Sequence, residues 1–283
     1  MDTSPTSGID RARPHVRLGL VLSAGGLRGA AHLGVLRQLV RHRVPIDTII
    51  GVSAGAIVAG YYAAVGLDVD ELIADAEGFR GRQLLAYSLT VHLGPRFERR
   101  LGAASGVIPD RLRQLDTASF DRLHHGIRRL GIVCHDLVSD QPCCFGTGLD
   151  TAVSLGDAVR ASASIPFLFP PIEIADRGRR LRLTDGGLRE SIPTSAARAF
   201  GATHLIVSDC RWLGGAPVTG ADTVWIRPRL ASTGTLWSPR RGLIAAVRNG
   251  EAAVSDGILS RIRSWLPDPA RKAAVEPDGA GSL

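Results

Sequence analysis

Lysine is nearly absent from this 283-residue chain: Lys272 is the only one, so the formal charge of +7 at pH 7 rests on arginine. Guanidinium groups pair bidentately with phosphate, which offers an attraction to anionic lipid head groups. The arginines are scattered rather than blocked, the pattern of a solvated surface, and no nucleic-acid partner is expected. Long apolar runs are missing too. Residues 1–14, MDTSPTSGIDRARP, lack the apolar stretch of a signal peptide, and no run of about 18 uninterrupted apolar residues exists for a membrane span. The expected location is cytoplasmic, with any membrane contact peripheral. Cysteine is scarce: Cys134, Cys143, Cys144 and Cys210 have neither the paired spacing of metal ligands nor the density of a disulfide scaffold. They read as small core residues, and no metal or other cofactor is expected. Internal repeats are absent as well.

What is present is an ordinary globular composition, 45% hydrophobic and 22% charged, in a chain long enough for one large α/β domain. A strand over residues 16–23 runs into the loop AGGLRG, followed by a helix over 30–43 that Pro45 stops. A second strand over 46–52 ends at Ser53, and AGAIVAGYYAAVG continues as a helix closed by Gly66. Strand, loop, helix, strand, turn, helix is the pattern of a parallel sheet covered by helices. Residues 67–125 read as mostly helical and charged, broken at Gly94, Pro95, Gly102 and Pro109, and are expected to cap one end of the sheet. Strands return at IRRLGIVCHDL, QPCCFGTG, LRLTDGG, THLIVSDC and DTVWIRP. The expected divisions are a disordered start (1–15), a main domain (16–230), a helical C-terminal segment (231–266) and a disordered tail (267–283).

Two constellations carry chemistry. The first is Gly51-Val52-Ser53-Ala54-Gly55. With 20 serines and 33 glycines, chance supplies about 0.3 such Gly-x-Ser-x-Gly matches, so context has to lift it. Here the motif follows a β-branched strand and opens a helix, the setting in which a sharp turn projects a serine hydroxyl. The helix N-terminus beside Ser53 favours negative charge on the serine oxygen. A packing turn with an incidental serine is the alternative.

The second constellation, SAGGLRGAAHLG, also joins a strand to a helix, so its backbone N–H groups can hold an anion. A dinucleotide site with Asp47 as ribose partner is one reading, but Ala24 stands where its first glycine belongs. The better use is an oxyanion hole, with Gly25 and Gly26 letting several N–H donors converge near a serine on the next strand.

In this order and spacing the two elements resemble the patatin-like phospholipases, through RGAAHLGVL and the elbow GVSAGAIV. The likeness continues in VRASASIPFLFPP and TDGGLRESIPTSAARAFGATHLIVSD, and so covers roughly residues 16–210. The resemblance implies a three-layer α/β/α patatin-like fold with a largely parallel central sheet and a helical cap. It also implies a Ser–Asp dyad without histidine that cleaves phospholipid or lysophospholipid esters. Carried over residue by residue, Ser53 is the nucleophile and Asp185 of LTDGG the general base. The N–H groups at Gly25, Gly26, Leu27 and Arg28 are then the oxyanion donors. Ala24, the bulky Leu27, and Ser191 in place of the frequent asparagine depart from the family pattern.

Two other readings remain. An α/β-hydrolase triad would recruit His204, which follows Ser53 and Asp185 in the required chain order. A protein of another class would keep the fold for lipid binding or regulation without turnover. His204 opens an apolar strand and reads as structural, and His32 as support for the glycine loop. In the C-terminal segment, Leu243, Val247, Val254, Ile258, Ile262 and Trp265 share a helical face. That face suits either a membrane surface or packing on the domain, with Gly250 and Gly257 weakening the helix.

Overall fold

Buried apolar runs build the centre of the molecule. β1 (Leu18–Leu22) and β2 (Thr48–Val52) are buried at every position, as strands covered on both faces are. The computed structural model describes residues 16–93, 103–211, 220–230 and 240–267. Of the ends expected to be disordered, 1–15 and 267–283, all but residue 267 lie outside the described residues, as does the stretch 94–102 of the expected cap.

The remaining described strands are β3 (Arg129–Asp136), β4 (Gln141–Gly146), β5 (Ile172–Asp176), β6 (Arg179–Asp185), β7 (His204–Ser208) and β8 (Thr223–Ile226). All belong to one sheet. Pairings β2–β3, β1–β2, β1–β7 and β7–β8 are parallel. β3–β4, β3–β6 and β5–β6 are antiparallel. A parallel block of five strands therefore carries an antiparallel extension. The extension includes β5, which is not among the strands expected from the sequence. The β5–β6 turn has positive φ at both Arg177 and Gly178, the twist that two-residue hairpins favour.

The described α-helices are α1 (Ala30–Arg41), α2 (Ala54–Ala59, continued by the π-helical Gly60–Val65), α3 (Val69–Gly78), α4 (Gly81–Leu93), α5 (Ile108–Thr117), α6 (Leu155–Ser162), α7 (Thr194–Ala199), α8 (Arg240–Ala252) and α9 (Asp256–Trp265). Side-chain alternation along β1 divides them into two layers. Leu18, Leu20 and Leu22 enter the larger core with residues of α1, α2, α6 and α9. Val21, facing the other way, joins Ile50, Val52 and Val133 beneath Ala197 and Phe200. Three layers result, α/β/α. Among the described residues no helix is long and apolar enough to cross a membrane.

The described part of the C-terminal segment holds two helices, separated at 253–255 and restarted by Ser255, whose hydroxyl accepts from the Ile258 N–H at 3.4 Å. Of its apolar face, Leu243, Val247, Val254 and Ile262 are buried, while Ile258 and Trp265 are half-buried and pack against the core. Packing on the domain, rather than lying on a membrane, is what that face does. α8 crosses α1 with the two backbones in contact. A Cβ on Gly250 would fall 2.0 Å from the Ala31 carbonyl oxygen, and one on Gly34 would fall 1.9 Å from that of Val247. Gly250 is thus where the helices meet, and its propensity cost is offset by close approach.

Candidate active site

The site forms where two strands abut. β4 pairs with residues 131–136 of β3 and so occupies one edge of that strand. β2 pairs with 129–133 and β6 with 134–136, successive stretches without overlap, so they share the other edge and meet end to end. Val52 lies opposite Val133 and Asp185 opposite Cys134. Ser53, one step past β2, thereby reaches Asp185, the last residue of β6, across 132 positions of sequence.

Ser53 sits at φ 56°, ψ −123°, a backbone conformation unfavourable for a residue with a side chain. The strand ends on one side of it and α2 starts on the other, its carbonyl already accepting from Ala56 and Ile57. A Cβ on Gly55 would lie 2.3 Å from the Leu22 carbonyl oxygen, so the tight turn requires glycine there. Ser162 anchors the strained residue. Its hydroxyl accepts from the Ser53 N–H at 2.8 Å and donates to the Val133 carbonyl at 2.6 Å, at the junction between β2 and β6.

The Ser53 hydroxyl donates to Asp185 Oδ2 at 2.7 Å, while the Gly187 N–H donates to Oδ1 at 2.7 Å. Both side chains are largely withdrawn from water, Ser53 at 5% and Asp185 at 7% exposure. Burial pushes the Asp185 carboxyl above its ordinary value, against the Ser53 and Gly187 hydrogen bonds that hold it down. A carboxylate so placed is a better proton acceptor than a free aspartate.

The glycine loop stands beside this pair. Gly26–Gly29 form a 3-10 turn in which the Arg28 N–H donates to the Gly25 carbonyl at 3.2 Å, so this one of the four expected donors is engaged in the turn. Gly26 and Leu27 border the same cavity as Ser53. Ala24 is tied to the Asp185 loop through its N–H to the Ser191 carbonyl at 2.9 Å. Its methyl group lies opposite Gly187, where an added Cβ would come within 2.8 Å.

Behind the loop, His32 is fully buried. Its Nε2 lies 2.9 Å from the Ser23 carbonyl and its Nδ1 2.7 Å from Ser208 Oγ. A carbonyl only accepts, so Nε2 carries the hydrogen and Nδ1 accepts from the Ser208 hydroxyl. Burial lowers the pKa of His32 to about 4, leaving it neutral. It pins the residue from which the loop departs and touches neither Ser53 nor Asp185.

His204 is not at the site. It pairs with Leu18 at the start of β1, whereas Gly51 pairs with Leu22 at the end, roughly 13 Å away along the sheet. Its ring packs on Trp265, centroids 4.9 Å apart. The triad reading fails on this placement. Among the described residues no cluster of three His, Cys, Asp or Glu side chains could hold a metal ion.

A cavity of about 400 Å³ opens beside Ser53, walled by Leu72 and Ala76 of α3, Tyr87 of α4, Leu112 of α5, and Phe169. Its charged neighbours are paired: Arg111 with Asp75 at 2.7 Å, Arg160 with Asp116 at 2.6 Å and Asp157 at 2.9 Å. Such a space accepts an apolar chain. Ser162 is the site residue that motif reading misses. It lies inside VRASASIPFLFPP, but only the fold shows that it holds Ser53.

The class is that of a three-layer α/β protein with a serine on a strained elbow, bonded to a buried carboxylate and facing an apolar cavity. More narrowly, the chain belongs to the patatin-like phospholipase family, whose model matches residues 20–198, more than half its length. It is 33% identical over 196 residues to an NTE family protein of Mycobacterium tuberculosis, covering 69% of this chain and 30% of that one. Lysophospholipase NTE1 of Yarrowia lipolytica is 27% identical over 201 residues, 68% of this chain and 12% of that protein. The chain thus spans less than a third of these curated relatives. Among solved structures, VipD of Legionella pneumophila matches with a TM-score of 0.50 at 15% identity, covering 89% of this chain and 67% of that one, a likeness of fold.

Proposed function

We propose that the protein hydrolyses ester bonds of phospholipids or lysophospholipids, with Ser53 as nucleophile and Asp185 as general base. The observation that carries this reading is the 2.7 Å hydrogen bond from Ser53 to Asp185 beside an apolar cavity. Ser53 Oγ attacks the ester carbonyl as its proton passes to Asp185 Oδ2. N–H groups of Gly25, Gly26 and Leu27 receive the oxyanion. Asp185 then protonates the leaving alcohol oxygen as the C–O bond breaks, leaving an acyl-Ser53. Water attacks that ester, again giving its proton to Asp185, and the acid departs as Ser53 recovers its proton.

In this reading residues 16–230 form the hydrolase domain and the helices within 67–125 cap it. The protein works in the cytoplasm and meets its lipid peripherally. A fluorophosphonate probe followed by peptide mapping should label Ser53. Ser53→Ala should abolish p-nitrophenyl butyrate hydrolysis with unchanged far-ultraviolet circular dichroism. Labelling at another residue, or activity retained in the pure variant, would end the assignment.

A further inference from the structure

Several large apolar side chains stand in solvent next to the cavity. Phe167 is fully exposed, at φ 69°, a conformation that sterics disfavour for a bulky side chain. Neighbouring hydrogen bonds hold it there. The N–H groups of Leu168 and Phe169 both donate to the Ile165 carbonyl. The Leu168 carbonyl in turn accepts from the Ser88 hydroxyl and from His92 Nε2, both on α4.

α4 has three different faces. Leu84, Tyr87 and Val91 line the cavity, and Ala86 and Thr90 are buried. Arg82, Leu85, Leu89 and His92, at helical spacing, form an exposed stripe, with Leu85 42% and Leu89 50% exposed. Val91 both lines the cavity and is 39% exposed, so the cavity opens along this helix. α4 contains no acidic residue, and Arg82 gives its outer stripe a positive charge that complements lipid phosphate.

From this arrangement we infer that Phe167 and the Leu85–Leu89 stripe of α4 form a docking surface for a phospholipid surface, set beside the cavity mouth. The inference rests on the ester-hydrolase reading for its purpose, since a lipid drawn from an aggregate must reach Ser53 without its chain crossing water. The physical basis of docking is separate. Exposed apolar side chains enter the acyl boundary, and the flanking cation sits among head groups. Attachment of this kind persists when charge is screened.

The test is co-sedimentation with vesicles of phosphatidylcholine and phosphatidylglycerol, in low salt and in about 1 M NaCl, where the screening length is about 3 Å. The full chain should bind in both. Phe167→Ser and Leu89→Ser should each weaken partitioning about tenfold, and the double variant about a hundredfold. Neither residue lines the cavity, so hydrolysis of a soluble monomeric ester and the thermal midpoint should be unchanged. Binding lost in high salt would assign attachment to the arginines and overturn the inference, as would variants that bind like the parent. A fall in oligomer mass in the variants, with vesicle binding intact, would assign the patch to a second copy instead. Ser53→Ala run alongside keeps the two readings apart: its activity judges the hydrolase, and its vesicle partition should match the parent either way.

Discussion

Replacing Ser162 with alanine removes one hydroxyl and leaves two buried groups without partners: the Ser53 N–H, bonded at 2.8 Å, and the Val133 carbonyl, bonded at 2.6 Å. Each such group costs about 1–3 kcal/mol, so Ser162→Ala should destabilise the protein by about 2–4 kcal/mol after partial relaxation. Against the 5–15 kcal/mol of a typical domain this is a large share, so urea unfolding should show a clearly lower midpoint with an unchanged m-value. The catalytic effect is a separate quantity. Ser53 occupies its φ of 56° while its N–H is held, and a shift of about 1 Å in the nucleophile costs about 10²-fold in rate. The loss should appear in kcat for p-nitrophenyl butyrate with little change in KM, because Ser162 is absent from the cavity lining. Ser162→Thr, which keeps the hydroxyl, should recover part of both. A Ser162→Ala protein with parental stability and kcat would refute the anchoring role.

His32 should make the protein acid-sensitive. Its native pKa is lowered to about 4 while an unfolded histidine titrates near 6.5, so between those values the unfolded state binds more protons. That stabilisation is complete above pH about 6.5 and is lost as pH falls to about 4, amounting to about 3 kcal/mol; an NMR titration placing His32 near 6.5 would contradict it. Burial raises the Asp185 pKa, so kcat/KM should fall on the acid side with a midpoint above the free-aspartate value; a limb at or below that value would count against Asp185 as base. Gly250→Ala places a Cβ 2.0 Å from the Ala31 carbonyl oxygen and should destabilise the protein by about 1–3 kcal/mol, read as a lower thermal midpoint. Gly257→Ala meets only Ser255 Oγ at 3.9 Å and should stabilise by up to about 1 kcal/mol; equal shifts in the two would refute the helix crossing.

Much of the centre is legible in sequence because buried parallel strands are continuous apolar runs, and LGLVL and TIIGV are such runs. The elbow and the glycine loop are legible because strand, turn and helix follow one another locally. The junction of β2 with β6 is not, since Ser53 and Asp185 meet through separate pairings with β3 that no local pattern encodes. Resemblance, not periodicity, brings those two residues together in the sequence reading. β5 escapes pattern reading because it has only five residues and each is half-buried or exposed. Chain order alone admits His204 to a triad; the start of a parallel strand lies at the sheet end opposite the elbow. The C-terminal apolar face is visible in sequence, but its partner is not, because a membrane and a helix such as α1 select the same amphipathic pattern.

The most direct measurement is kcat of Asp185→Asn beside that of His204→Ala, both on p-nitrophenyl butyrate, with folding checked by thermal melts. Asp185 Oδ2 accepts a hydrogen bond from the Ser53 hydroxyl at 2.7 Å, so under the proposed mechanism Asp185→Asn should lower kcat by at least about 10³. His204→Ala should stay close to the parent, because that ring packs on Trp265 at the far end of the sheet. A well-folded His204→Ala protein as inactive as Ser53→Ala, or a well-folded Asp185→Asn protein with near-parental kcat, would contradict the dyad.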